Sequence, residues 1–82
     1  MGSETQQFSI DTERSVAVRN AINTVAAALR EKGYDPVGQL VGYILSGDPT
    51  YITSYKEART TIKKFDRDEL LEEIITSYIS TL

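Results

Sequence analysis

The chain has 82 residues, no cysteine and no histidine, and its twelve acidic and nine basic side chains give a net charge of −3. Without cysteine there can be no disulfide or thiolate metal site, and without histidine a zinc site would have to be all-carboxylate. Serine–histidine and cysteine–histidine nucleophile pairs are excluded too, and the acidic balance disfavours the chain as a whole as a nucleic-acid binder.

A chain of this length forms one small domain and buries about 60–65% of its unfolded surface, so its own stability margin is thin. With disulfides and metals set aside, oligomerisation is the remaining source of added stability. No glycine-rich phosphate loop is present, and few reacting groups remain, so neither an enzyme nor a cofactor is expected. No apolar run approaches the roughly 20 residues that span a bilayer, and no signal peptide is visible. A cytoplasmic protein without membrane insertion is expected.

Residues 1–10 are polar apart from Phe8 and Ile10 and lack helical periodicity. They read as a flexible tail, followed by a single helical domain over 11–82. Asp11 or Thr12 can cap a first helix over about 12–32, with Val18, Ile22, Val25 and Leu29 on one face beside Ala21 and Ala28. Gly33 suits its left-handed stop. Two Asp-Pro pairs follow, Asp35-Pro36 and Asp48-Pro49. Asp offers an acceptor to the free N–H groups of a first turn, and Pro lacks the N–H that has no partner there, so each pair reads as a helix start. The helix between them runs from about Pro36 to Ser46 and stops at Gly47. Its positions Val37, Leu40, Val41, Ile44 and Leu45 form a core-facing stripe, and Gly38 and Gly42 suggest close packing against another helix.

After a short connector, Ser54 and Glu57 have capping-box spacing and open a helix that carries Tyr55, Ala58, Ile62 and Phe65 inward. Asp66 and Glu69 form a second box ahead of the last helix. There, seven of the thirteen positions from Leu70 to Leu82 are large and apolar, wider than one contact face needs. The expected fold is therefore all-α, a compact bundle of about four to five short helices. A second copy is expected to cover part of the last stripe, in an intertwined or helix-packed homodimer.

Lys56, Arg59, Lys63 and Arg67 are spaced to share a helix face if the helix continues that far. Lys56 lies in the first turn, where the helix dipole gives a cation no support. The stripe is a candidate surface for an acidic partner. Two short helices with a basic face also invite a helix-turn-helix reading, as a small DNA-binding regulator. Against it, Ser54 to Phe65 contains neither Asn nor Gln for reading bases.

The strings Glu31 to Ile52 (EKGYDPVGQLVGYILSGDPTYI), Glu57 to Arg59 (EAR) and Arg67 to Ile74 (RDELLEEI), with Glu4-Thr5 and Phe8 in the tail, resemble the IreB/ReoM family of low-GC Gram-positive bacteria. The resemblance implies small all-helical homodimers without enzymatic activity. It implies a substrate of the PASTA-type Ser/Thr kinase and its cognate phosphatase, modified on a threonine that matches Thr5. It further implies a restraint on peptidoglycan synthesis and β-lactam tolerance through ClpCP degradation of MurA, relieved by phosphorylation. Basic residues of the family's penultimate helix match Arg59, Lys63 and Arg67. The chain departs from the family pattern at Thr53-Ser54, where relatives commonly have Pro-Arg, and at Lys63, which replaces an arginine.

Overall fold

The computed structural model describes residues 12–82, so the tail and Thr5 lie outside the described residues. Helix α1 spans Glu13–Glu31, α2 Pro36–Ser46, α3 Ala58–Ile62 and α4 Arg67–Ile79. There is no strand among the described residues. The all-α expectation holds.

Local chemistry sets most of these boundaries. The Thr12 hydroxyl accepts the Ser15 N–H at 3.1 Å and starts α1. At its other end Gly33 takes φ +84°, which lets Gly33 N–H donate to Arg30 C=O and Tyr34 N–H to Leu29 C=O. That pair of bonds satisfies carbonyls the helix leaves open. Both Asp-Pro readings also hold. The Asp35 carboxylate accepts the Val37 N–H ahead of α2, and Asp48 accepts the Thr50 N–H ahead of a 3₁₀ turn at Pro49–Tyr51. Gly47 ends α2 at φ +76°. Asp66 N–H donates to the Glu69 carboxylate at 3.0 Å in the capping box that opens α4.

The core is built around α1, which packs against α2, α3 and α4. Val18, Val25, Ala28 and Leu29 meet Tyr43, Ile52, Ala58, Ile62 and Leu70. Burying each large aliphatic side chain contributes on the order of 2 kcal/mol. The segment after Ile52 runs back along α1. Tyr55 Oη donates to Glu31 near the end of α1, whereas the Arg14 guanidinium lies 4.7 Å from the Phe65 ring centroid near its start.

Three local expectations are corrected. The Ser54 side chain makes no cap bond, and only a 3₁₀ turn at Tyr55–Glu57 follows it, with α3 starting at Ala58. Instead Lys56 and Glu57 adopt φ +52° and +63°, a left-handed conformation that costs L-residues roughly 1–2 kcal/mol each. The cause is tertiary: Ile52 and Ala58 are both fully buried six residues apart, and the chain must turn sharply between them. The α2 stripe is only half a core face. Leu40 and Ile44 pack inward, but Val37, Val41 and Leu45 are exposed, Leu45 by 79%, and Tyr43 is buried instead. Gly42 receives no helix. The Tyr51 ring lies so close to it that a Cβ would clash, and Gln39 Nε2 donates to Tyr51 C=O at 2.9 Å to hold that loop.

Candidate functional site

The four candidate basic residues do not form one helix face. α3 ends at Ile62, a turn follows, and Arg67 belongs to the first turn of α4. Two of them converge all the same. Arg59 Nε donates to Pro49 C=O at 3.1 Å and Ile52 C=O at 2.8 Å. Arg67 Nη1 donates to Ile44 C=O at 3.0 Å, and its guanidinium lies against Gly47, where a Cβ would come within 2.9 Å. From α3 and α4 they hold the two ends of the loop that follows α2. Arg67 also places a positive charge on an open carbonyl of a helix C-terminus, where the dipole favours it. The Asp48 carboxyl is held below the usual carboxylate range, chiefly by the Thr50 hydroxyl and N–H and in smaller part by the charge of Arg59.

Lys56 sits elsewhere, at the far end of α1. Its ammonium pairs with Glu31 at 3.2 Å and lies 5.4 Å from the Tyr55 ring centroid, with Lys32 at 5.0 Å from the same ring. Glu31 is held below the usual range by Lys56 and then Tyr55. Lys63 is exposed, as is Lys64 beside it. The helix-turn-helix alternative needs a helix across Ser54 to Phe65, whereas α3 has five residues.

The sequence reading missed a polar bridge between α1 and α4. Glu73 is only 8% exposed. Its carboxylate accepts from Ser15 Oγ at 2.8 Å, Arg19 Nε at 3.0 Å and Ser77 Oγ at 3.3 Å. Burial pushes the Glu73 carboxyl up, but Arg19, Ser15 and Ser77 outweigh it and the net shift is downward. One turn earlier, Arg14 Nε and Nη2 donate to the two Glu69 oxygens at 2.8 Å each. This pair, with the Asp66 N–H, pulls Glu69 down to about 2. From sequence, Glu73 reads as one of several acids complementing the α4 dipole. Its α1 partners lie 54 and 58 residues away, so no local spacing marks the bridge. Among the described residues no three His, Cys, Asp or Glu side chains gather to hold a metal ion. None of the described helices is long and apolar enough to cross a membrane.

Two apolar rows complete the surface. Tyr34, Val37, Val41 and Leu45 are exposed along α2 and the turn before it. Leu71, Ile75, Tyr78 and Leu82 are exposed along α4 and its end at steps of four, three and four, with Ile79 beside them. Ile75 and Ile79 are 50% and 55% exposed. Spacing of this kind lines one side of a helix. Contiguous apolar surface on a small domain marks an interaction site.

A small all-helical domain with paired apolar rows and side-chain cations spread over several elements belongs, by its physical character, among interaction proteins. Residues 3–80 match the family model described as IreB regulatory phosphoprotein, and the chain belongs to that family. A UPF0297 protein of Ruminiclostridium cellulolyticum is 51% identical over 77 residues, covering 94% of this chain and 88% of that one. A UPF0297 protein of Acetivibrio thermocellus is 52% identical over 77 residues, covering 94% and 86%.

Proposed function

We propose that this protein is a non-enzymatic, cytoplasmic regulator of peptidoglycan synthesis and β-lactam tolerance. It acts as a homodimer that promotes ClpCP degradation of MurA. A PASTA-type Ser/Thr kinase switches it off through Thr5, and the cognate phosphatase switches it on. The observation that supports an adaptor is the surface. Rows of Val, Leu, Ile and Tyr are exposed on α2 and α4, and Arg59 and Arg67 hold the loop that follows α2. Apolar area with a charged rim is what protein partners bury.

The row on α4 is assigned to the second copy. Lys56, Arg59, Lys63 and Arg67 are assigned to an acidic partner. The carbonyl bonds of Arg59 and Arg67 give that assignment a physical basis, because a guanidinium held by one edge presents the other with little loss of side-chain entropy.

The test is reconstitution. Purified MurA, the Clp ATPase and its protease are incubated with unphosphorylated protein. A several-fold shorter MurA lifetime is expected, and a smaller effect after kinase treatment. In cells, Thr5→Ala is expected to act as a constant restraint and raise β-lactam sensitivity. An unchanged MurA lifetime overturns the adaptor reading. Wild-type drug tolerance in the Thr5→Ala strain overturns the switch.

A further inference from the structure

All nine Lys and Arg side chains lie within residues 12–82. Most already have partners. Arg14 and Arg19 bind Glu69 and Glu73, Lys56 binds Glu31, Arg59 and Arg67 bind backbone carbonyls, and Lys32 stacks over Tyr55. Lys63 and Lys64 are exposed neighbours in the turn after α3, and neither side chain has a bonded or stacked partner among the described residues.

Their place in the fold matters more than their number. Phe65 follows them directly and lies under Arg14, in the first turn of α1. The lysine pair therefore stands at the end of α1 where the N-terminal tail joins. Lys56 stands at the other end, beside Glu31, and Arg30 is in the last turn of α1. At ~1.5 Å per residue the nineteen residues of α1 span about 28 Å. From Thr12 back to Thr5 is seven residues. At ~3.3–3.6 Å each they extend no further than about 25 Å.

We infer that the phosphorylated tail docks on its own domain, with the Thr5 phosphate seated on Lys63 and Lys64 beside Arg14. This rests on the reading that Thr5 is the modified residue. The phosphate adds about −1.5 to −2 charge and three strong acceptor oxygens. The lysine pair lies within reach with slack, whereas Lys56 and Arg30 can be met only by a nearly taut tail. Asp66, Asp68 and Glu69 follow Phe65 at the start of α4 and repel the phosphate toward the lysines. Arg14 can turn from Glu69 to the phosphate without orphaning it, since Glu69 keeps the Asp66 N–H. Its place over Phe65 holds it close by. Docking covers Lys63, one of the residues assigned to the acidic partner, so a modification in the tail removes part of that surface.

The test uses the full chain with phosphothreonine installed at position 5 by chemical ligation, so it does not depend on which residue a kinase selects. Amide NMR is expected to show shifts at Arg14, Lys63, Lys64 and Phe65, and none at Lys56. Phosphorus NMR is expected to place the second phosphate ionisation below its usual value of about 6. Both effects are expected to vanish in the Lys63→Gln, Lys64→Gln variant and to fade at roughly 1 M salt, where the screening length is about 3 Å. Retention of native helicity by circular dichroism confirms that the variant is folded. Mapping of phosphopeptides from cells tests the choice of Thr5 separately. Shifts confined to residues 1–12, with a phosphate titration identical to that of the isolated 1–12 phosphopeptide, would overturn the docking.

Discussion

On α1, Val18, Val25, Ala28 and Leu29 are enclosed by every other helix of the domain, whereas on α4 the apolar stripe starts inside at Leu70 and then leaves the protein. Ile74 is half-buried, and Leu71, Ile75, Tyr78, Ile79 and Leu82 face out. Both helices are amphipathic by sequence. The difference lies in how many neighbours a small domain can supply. α1 takes the interior, and α4 is fastened along one edge by Leu70 and by the Glu73 bridge. An apolar stripe therefore states that a face wants cover, without saying which chain supplies it.

That contrast can be broken at either helix. The largest effect is expected on α1: Leu29→Ala leaves a cavity at a fully buried site and should cost about 3 kcal/mol in urea unfolding. For a domain this small, the melting temperature should fall by roughly 4–8 °C per kcal/mol. Glu73→Ala should come next, at about 2 kcal/mol, because it removes the buried acceptor that Ser15 and Arg19 share at the α1–α4 seam. A loss as small as that of an exposed site would show that the bridge holds nothing.

Glu57→Gly tests the turn between Ile52 and Ala58. Glycine accepts φ +63° without strain, so stability should rise by about 1 kcal/mol, with Glu57→Ala giving no such gain. On the exposed half of α4, Ile75→Glu with Ile79→Glu should change the folding of the isolated domain by less than about 0.5 kcal/mol per site. The sedimentation mass, expected at twice the monomer for the wild type, should then fall to one. A wild-type monomer at high concentration would remove the dimer.

The smallest effect is at the surface pair. The folded pKa of Glu69 lies below its ordinary 4.5, at about 2, so its contribution is complete above that ordinary value and is lost as pH falls through the interval between the two. Glu69→Gln should flatten the acid limb over that window by removing a small contribution present at neutral pH, since exposed ion pairs contribute little, and should leave stability below the window unchanged.

The helix boundaries that sequence revealed are those with local causes. Asp35-Pro36, Gly33, Gly47 and the Asp66–Glu69 box each act within a few residues. The Ser54–Glu57 box has the same spacing and fails, because two buried anchors on either side overrule a cap of about 1 kcal/mol. The site was legible as residue types and not as an arrangement. Lys56, Arg59, Lys63 and Arg67 are all at the surface or partly so. A continuous face required a helix that ends at Ile62. Glu73 left no local trace because its α1 partners are 54 and 58 residues away.

The bonds from Ser15 and Arg19 to Glu73, and from Arg14 to Glu69, have a consequence for how the protein is made. They join the first helix to the last. A ribosome delivers α1 long before Glu69 and Glu73 exist, so the nascent chain carries the polar side of α1 without these partners until α4 is made. Docking of α4 should then be a late step, and chains truncated before residue 69 should keep the α1–α3 contacts while losing protection from proteases at the start of α1.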